Sequence, residues 1–450
     1  MTIRIQDGEF IDEQGRTLLL RGVNLGGSSK IPFTPDGATY KREGFFNYRN
    51  VSFIGRPFPL EEADEHFRRL RAWGLTFLRF LVTWEAIEHA GPGIYDDDYL
   101  DYIRAILEKA HQHGIQVFID PHEDVWSRFC GGDGAPGWTM EAVGMDLTKV
   151  QATGAAIIHN LHGDPFPRMI WPTNAHKLAA ATMFALFFAG NDLAPRTLVD
   201  GEPVQEYLQR HYIASIARLA NRIRDLPNVV GFDTLNEPMH GYLGVRDLDD
   251  CCGHPRLGDF PTPLQAMLAA SGQAIEVDIW NFGLSGNRKT ARRVINPGGE
   301  RLWKDGYDCV WRQNGVWDLD DKGQARLLRP EHFYEVNGRR IHFGDDYYKP
   351  FANRFATAIR QEIPNALIFI ETEPGSSPPR WGKDDAPGIV YAPHWYDGVT
   401  LVFNVILPLW ARITSNPKQS SGRTVCASHS RTSWPGSEPT RANISPAPRS

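Results

Sequence analysis

Short apolar runs alternate along the chain with longer stretches in which apolar residues recur every three or four positions. The first pattern predicts buried strands and the second predicts amphipathic helices. Strands are expected at Leu18–Asn24, Phe77–Trp84, Gln116–Asp120, Val229–Leu235, Ala366–Ile370 and Ile389–Tyr396. Helices are expected at Leu60–Trp73, with acidic residues in its first turn and Gly74 as its stop, and at Asp97–His113, ended by Gly114. Two more are expected at Val204–Leu226 and Tyr348–Ile363. Strands that alternate with helices imply a parallel sheet with right-handed crossovers. The expected fold class is therefore α/β, an incomplete barrel of (β/α)8 type with about six of the eight strands.

Two insertions, at about 125–200 and 240–345, interrupt the alternation. Their Gly, Pro, Trp and Asp content predicts loops with small helices or hairpins. Both follow strand ends, the face on which a barrel carries its active site. Within the first, Leu178–Gly190 is apolar throughout but too short to span a bilayer. It reads as a core helix or as a greasy wall beside a lipid-bearing substrate.

Composition narrows the class. The 450 residues are 42% hydrophobic with a formal net charge of -6, enough to bury a core and with no footprint for nucleic acid. The start, MTIRIQDGEFIDEQGR, has no apolar signal region, and the five cysteines lack metal-ligand spacing. Reduced thiols in a cytoplasmic protein are the expectation.

Polar residues gather where the strands end: Asn24, Arg79, the run Asp120-Pro121-His122-Glu123-Asp124, Asn236-Glu237, and His394-Trp395-Tyr396. Packing alone gives no reason for this one-ended pattern, and a barrel-mouth active site does. Glu237 follows the run Val229–Leu235 and precedes Pro238, which ends the strand. An apolar setting there would raise its pKa and suit it to protonate a leaving-group oxygen, the acid half of glycoside hydrolysis.

Arg79, His122, Asn236-Glu237 and His394-x-Tyr396, in this order, resemble glycoside hydrolase family 5, a retaining (β/α)8-barrel family. The segments RGVNLGGSSK, DPHEDVWSRFCGG, GAPGWT, WPTNAHKLAAATMFALFFAG and TLNEPMHGYLG resemble its endoglycoceramidase-related branch, which in fungi includes steryl-β-glucosidases and glucosylceramidases. The resemblance implies a retaining β-glycosidase acting on a glycolipid, steryl β-glucoside or glucosylceramide, without cofactor or metal and with transient contact at a membrane surface. It implies Glu237 as acid/base, Asn236 on the sugar 2-hydroxyl, and Arg79 orienting the nucleophile's carboxylate. His122 would line the glucose subsite, Lys30 and Asp124 would contact the sugar, and His394 and Tyr396 would flank the nucleophile, Tyr396 donating to it. Trp126, Trp138 and Trp171 are candidate apolar walls.

The family pattern breaks after Phe403. Retention needs a second carboxylate about 5 Å from the first, and in the family it stands on strand seven, after His-x-Tyr. Beyond Phe403 the only acidic residue is Glu438, in a Ser-, Pro- and Arg-rich stretch with no strand or helix period. The expected division is a catalytic barrel over 1–403 and an aberrant, disordered tail over 404–450, as from a frameshift. With the nucleophile absent, the alternative function is a catalytically dead glycolipid-binding barrel. Glu371 and Glu373 end the fifth strand beside the fourth, so one of them could approach Glu237, but on the wrong side of the sugar.

Overall fold

The apolar runs become strands. In a computed structural model, which describes residues 3–400 other than 171, 251–254, 284–285 and 399, six parallel strands form one sheet. Numbered in chain order they are β1 (Asn24–Leu25), β2 (Phe77–Val82), β3 (Gln116–Pro121), β4 (Val229–Asp233), β5 (Leu367–Ile370) and β6 (Ile389–Tyr391), each paired with the next. The register sets Asn24 beside Arg79, Arg79 beside Phe118, and Phe369 beside both Asp233 and Val390. The framing helices are α1 (Ala63–Ala72), α2 (Asp97–Gln112), α3 (Leu178–Leu193), α4 (Val204–Ile223) and α5 (Lys349–Glu362).

Helix ends follow their capping chemistry. The Asp96 side chain accepts from Tyr99 N at the start of α2, and Gly114 takes the left-handed turn beyond its end. In α1 the buried Ala63, Phe67 and Leu70 form one stripe.

Side chains alternate across each strand, so the sheet has two apolar faces. Leu78, Phe80, Val117, Ile119, Phe232, Ile368 and Ile370 pack among the helices. On the inner face Phe118 stacks on Phe369 with ring centroids 4.1 Å apart, joined by Leu367, Phe77 and Val390. The pairing of β3 with β4 shifts register between Val117 and Phe118, which breaks the alternation in β4, and Val230 joins this cluster too. A hairpin of Arg4–Gln6 and Glu9–Ile11 brings Ile5 and Phe10 to this inner cluster. Its strands are too short to show a period in the sequence.

Two expected strands are shorter than read. Over Leu18–Asn24 only Asn24 enters a regular ladder. Before it, Arg21 O accepts from Thr76 N and Phe77 N, and a Cβ on Gly22 would lie 1.3 Å from Phe77 O. That crowding suits glycine alone and displaces the regular pairing. The strand expected to reach Tyr396 ends at Tyr391, because Pro393 has no N–H for the ladder. His394 and Tyr396 therefore sit on the loop beyond β6.

The first insertion contains α3, whose residues from Leu178 to Gly190 are all buried. Phe187 and Phe188 pack on Phe351 of α5, and Thr182 accepts from the Trp311 indole of the second insertion. Of the two readings, a core helix describes it. Among the described residues no helix is long and apolar enough to cross a membrane. The second insertion projects a long hairpin, Ile275–Gly283 with Gly286–Ile295. The stretch 404–450 lies outside the described residues.

Gly231 marks the tightest contact at the centre of the sheet. A Cβ there would fall 2.0 Å from Leu367 O, a backbone atom that cannot yield without parting β4 from β5. Gly231→Ala should lower the unfolding free energy by about 3 kcal/mol, as overpacking does. A urea titration followed by circular dichroism reads this as a lower midpoint, and an unchanged midpoint would show that the two strands are not so held.

Candidate active site

The inward-facing positions at the strand ends bring charge together. Arg79 on β2 places Nη1 2.9 Å from Asp120 Oδ2 of β3 and Nη2 2.7 Å from Glu371 Oε1, one residue past β5. The same Nη2 donates to Asn236 Oδ1 at 2.8 Å and lies 3.5 Å from Asp233 Oδ2. One guanidinium thus faces three carboxyl groups, all fully buried. Burial drives the Asp233 carboxyl well above its ordinary value, and neighbouring Glu371 reinforces this. Burial also opposes the charge on Glu371, but hydrogen bonds from Asp233 and His394, with the charge of Arg79, outweigh it and hold Glu371 down at about 2. Asp233 therefore carries the proton of the pair and donates it to an ionised Glu371.

Glu237 stands at the centre. Its backbone adopts φ +38°, a left-handed conformation uncommon for a non-glycine residue, and its N–H donates to Glu371 Oε2 at 3.0 Å. Its Oε1 accepts from the Tyr396 hydroxyl at 2.7 Å and contacts His394 Nδ1 at 2.6 Å. Its Oε2 is buried with no hydrogen-bond partner among the described residues. The setting is polar, which corrects the apolar pocket expected from the sequence: the apolar run stops at Leu235, and the loop after β6 folds its polar groups over Glu237. The other ring nitrogen of His394 meets Glu371 Oε1 at 3.0 Å. Burial disfavours charge on this imidazole, yet the bonds to Glu237 and Glu371 push it up to about 9. Tyr396, expected to donate to the nucleophile, donates to Glu237, and burial together with that bond raises its phenol.

Beside this cluster lies a second group. His122 bonds Asp120 Oδ2 through Nδ1 at 2.7 Å and Asp124 Oδ2 through Nε2 at 3.3 Å. Lys30 Nζ bonds Asp124 and lies 3.6 Å from Asp133 Oδ2. Against the penalty of burial, these carboxylates push the His122 imidazole up to about 10. His122, Asp124 and Asp133 have ligand atoms within 4.8 Å of one another, the separation a metal site needs. The ammonium of Lys30 and the imidazolium of His122 together already balance Asp124 and Asp133, and an imidazolium is no ligand.

The residues that the sequence assigns to catalysis or sugar contact (Lys30, Arg79, His122, Asp124, Asn236, Glu237, His394 and Tyr396) converge on this one mouth of the sheet. Asn236 is already engaged on both amide groups, with Nδ2 donating to Glu123 O at 2.9 Å and Asp124 Oδ1 at 3.2 Å. Nδ2 can donate to a sugar hydroxyl only by releasing one of these bonds, whereas Oδ1, which accepts from Arg79, keeps a second lone pair for one. Trp126 and Trp138 are packing residues: their indoles donate to Thr139 Oγ1 and Glu88 O and both rings are buried. Trp171 and Glu438 lie outside the described residues. Glu373, read from the sequence as sharing a face with Glu371, falls past the end of β5 and turns to His240, 3.4 Å away. The sequence reading missed Asp120 and Asp233 as partners of Arg79, although both end apolar strands as Glu237 does.

Residues 37–247 match the family described as cellulase, glycosyl hydrolase family 5. The chain is 45% identical over 403 residues to a glucosylceramidase of Rhizopus delemar, an alignment covering 86% of this chain and 58% of the relative. It is 35% identical to the ergosteryl-beta-glucosidase of Saccharomyces cerevisiae, covering 88% of this chain and 58% of that one. The fold superposes on the crystal structure of Cryptococcus neoformans sterylglucosidase 1 with a TM-score of 0.84 at 37% identity, over 89% of this chain and 60% of that one. The chain thus spans about 58% of the length of these curated relatives.

Proposed function

This chain carries a glycosyl hydrolase family 5 domain, and from that premise we propose that it works as a retaining β-glucosidase on a glycolipid, with Glu237 as acid/base. The observation that carries the reading is the asymmetry of the Glu237 carboxyl. Oε1 is fixed by Tyr396 and His394, while the buried Oε2 is unpaired among the described residues. A carboxyl clamped on one oxygen and open on the other can hand a proton to a glycosidic oxygen in one direction only.

The leaving group is a sterol or a ceramide. Both are apolar, both reside in membranes, and relatives bear the names of both; substrate is therefore met at a membrane surface. The buried, unbridged thiols of Cys130 and Cys309 support a reducing, cytoplasmic setting. Lys30, His122 and Asp124 would hold the glucose hydroxyls by exchanging their mutual bonds for bonds to sugar. No described residue is assigned as the attacking carboxylate, since Glu371 is committed to Arg79, His394 and the Glu237 amide.

The test is isothermal titration with 1-deoxynojirimycin, a glucose-configured iminosugar, against its galactose-configured epimer. The expected result is selective binding of the glucose-configured compound, lost in His122→Ala. Equal or absent binding of both compounds would remove the glucosidase reading.

A further inference from the structure

We propose that Glu371 is a positioning residue that aims the Glu237 carboxyl, by holding the Glu237 backbone with one oxygen and His394 with the other. The proposal rests on the reading of Glu237 as acid/base and adds a residue to it. An acidic side chain present only to neutralise Arg79 would turn both oxygens to the guanidinium. Glu371 gives Arg79 a single oxygen, Oε1, and shares that oxygen with His394 Nε2 at 3.0 Å. Its Oε2 reaches instead to the amide of Glu237 at 3.0 Å.

That amide lies past the end of β4 at the left-handed φ of +38°. A non-glycine residue stays in such a conformation only where its surroundings fix it, and the Glu371 bond is the fixing contact on its N–H. His394 then closes a loop of contacts. Its two nitrogens face two carboxylates, so both donate, and the imidazolium transmits the position of Glu371 to Glu237 Oε1. The charged and titratable groups around this ring are Glu237, Glu371, Arg79 and Tyr396. Glu371 is itself pinned: its backbone N–H donates at 3.1 Å to the Tyr348 hydroxyl, which also bonds Thr234 Oγ1 at 2.8 Å. One tyrosine thereby fixes the ends of β4 and β5 to each other.

Glu371→Gln is nearly isosteric, so it isolates the chemistry. Whichever way the amide turns, its NH2 faces a donor: either the Glu237 N–H, or Arg79 and His394. The full 450-residue chain is labelled at histidine, and the His394 resonance, assigned with His394→Asn, is followed by NMR against pH. The unsubstituted protein should titrate near 9, and Glu371→Gln should move the midpoint toward the ordinary value of about 6.5. It should also weaken 1-deoxynojirimycin by about tenfold, since a misdirected Glu237 carboxylate no longer meets the iminosugar cation. Unchanged titration and unchanged affinity, with only thermal stability lowered, would overturn the proposal. If Glu371→Gln does not fold, the unsubstituted chain still decides: its Glu237 amide must resist hydrogen exchange despite lying outside any strand, and rapid exchange there overturns the proposal. A shifted His394 midpoint in a protein that binds no iminosugar would uphold the positioning role and count against the glucosidase reading.

Discussion

Arg79→Leu should destabilise the protein by about 3–5 kcal/mol at neutral pH, the range for stripping the partner from buried opposite charge. The substitution leaves Asp120, Asp233 and Glu371 facing an apolar side chain, with Asn236 deprived of a donor. The loss should depend on pH in a definite direction. Glu371 is held at about 2 in the fold, below its ordinary value of about 4.3. A depressed carboxyl contributes stability above its unfolded pKa and loses it as pH falls through its folded one. Removing Arg79 raises the folded pKa of Glu371 and shrinks that contribution. The gap between variant and parent should therefore be widest near pH 7 and narrow as the pH falls below about 4. Urea unfolding at three pH values measures it. A gap that is constant across that range would mean that lost packing, not charge, is responsible.

Much of this site was readable before any coordinates, and the reason is geometric. In a parallel sheet the polar residues that interrupt or follow the apolar runs gather at one mouth, so Arg79 within β2, Asn236 and Glu237 past β4 and His394 past β6 declared a common location by their place in the pattern. What could not be read was partnership. Alternation puts Asp120, Asp233 and Glu371 on the inner face, but only the register, with Phe369 beside Asp233 and Arg79 beside Phe118, decides that all three share one guanidinium. The expectation of an apolar pocket around Glu237 failed for a related cause. Periodicity describes the strand below Glu237 and says nothing about the loop above it, and that loop carries His394 and Tyr396. Gly22 hid the irregular start of β1 in the same way, because a glycine inside an apolar run signals a close approach without saying to what.

The acid role of Glu237 can be tested apart from any nucleophile of the chain by supplying the attacking anion from solution, and this gives the largest effect expected in the chemistry. Past Tyr396 the acidic residues of the chain are Asp397 and Glu438, and Asp397 accepts from Thr400 Oγ1 and N. Turnover of an aryl β-glucoside by the 450-residue protein in plain buffer is the baseline. In azide, the small anion can attack the anomeric carbon from the face opposite the leaving group: the carbon–nitrogen bond forms, the glycosidic bond breaks, and Glu237 gives its proton to the departing oxygen when that oxygen needs it. The product should be α-glucosyl azide, identified by mass spectrometry and by its anomeric proton coupling. Glu237→Gln should lower the azide-dependent rate by about 10²–10⁴-fold on a steryl glucoside, whose alkoxide leaves poorly, as loss of general-acid assistance does. A dinitrophenyl glucoside needs almost no proton and should lose far less. A β-configured azide would place the accepting space on the same face as Glu237 and refute the assigned geometry. Vigorous hydrolysis without any added anion would show that a carboxylate of this chain does attack, and Glu373, turned toward His240 but not buried, is then the residue to replace first.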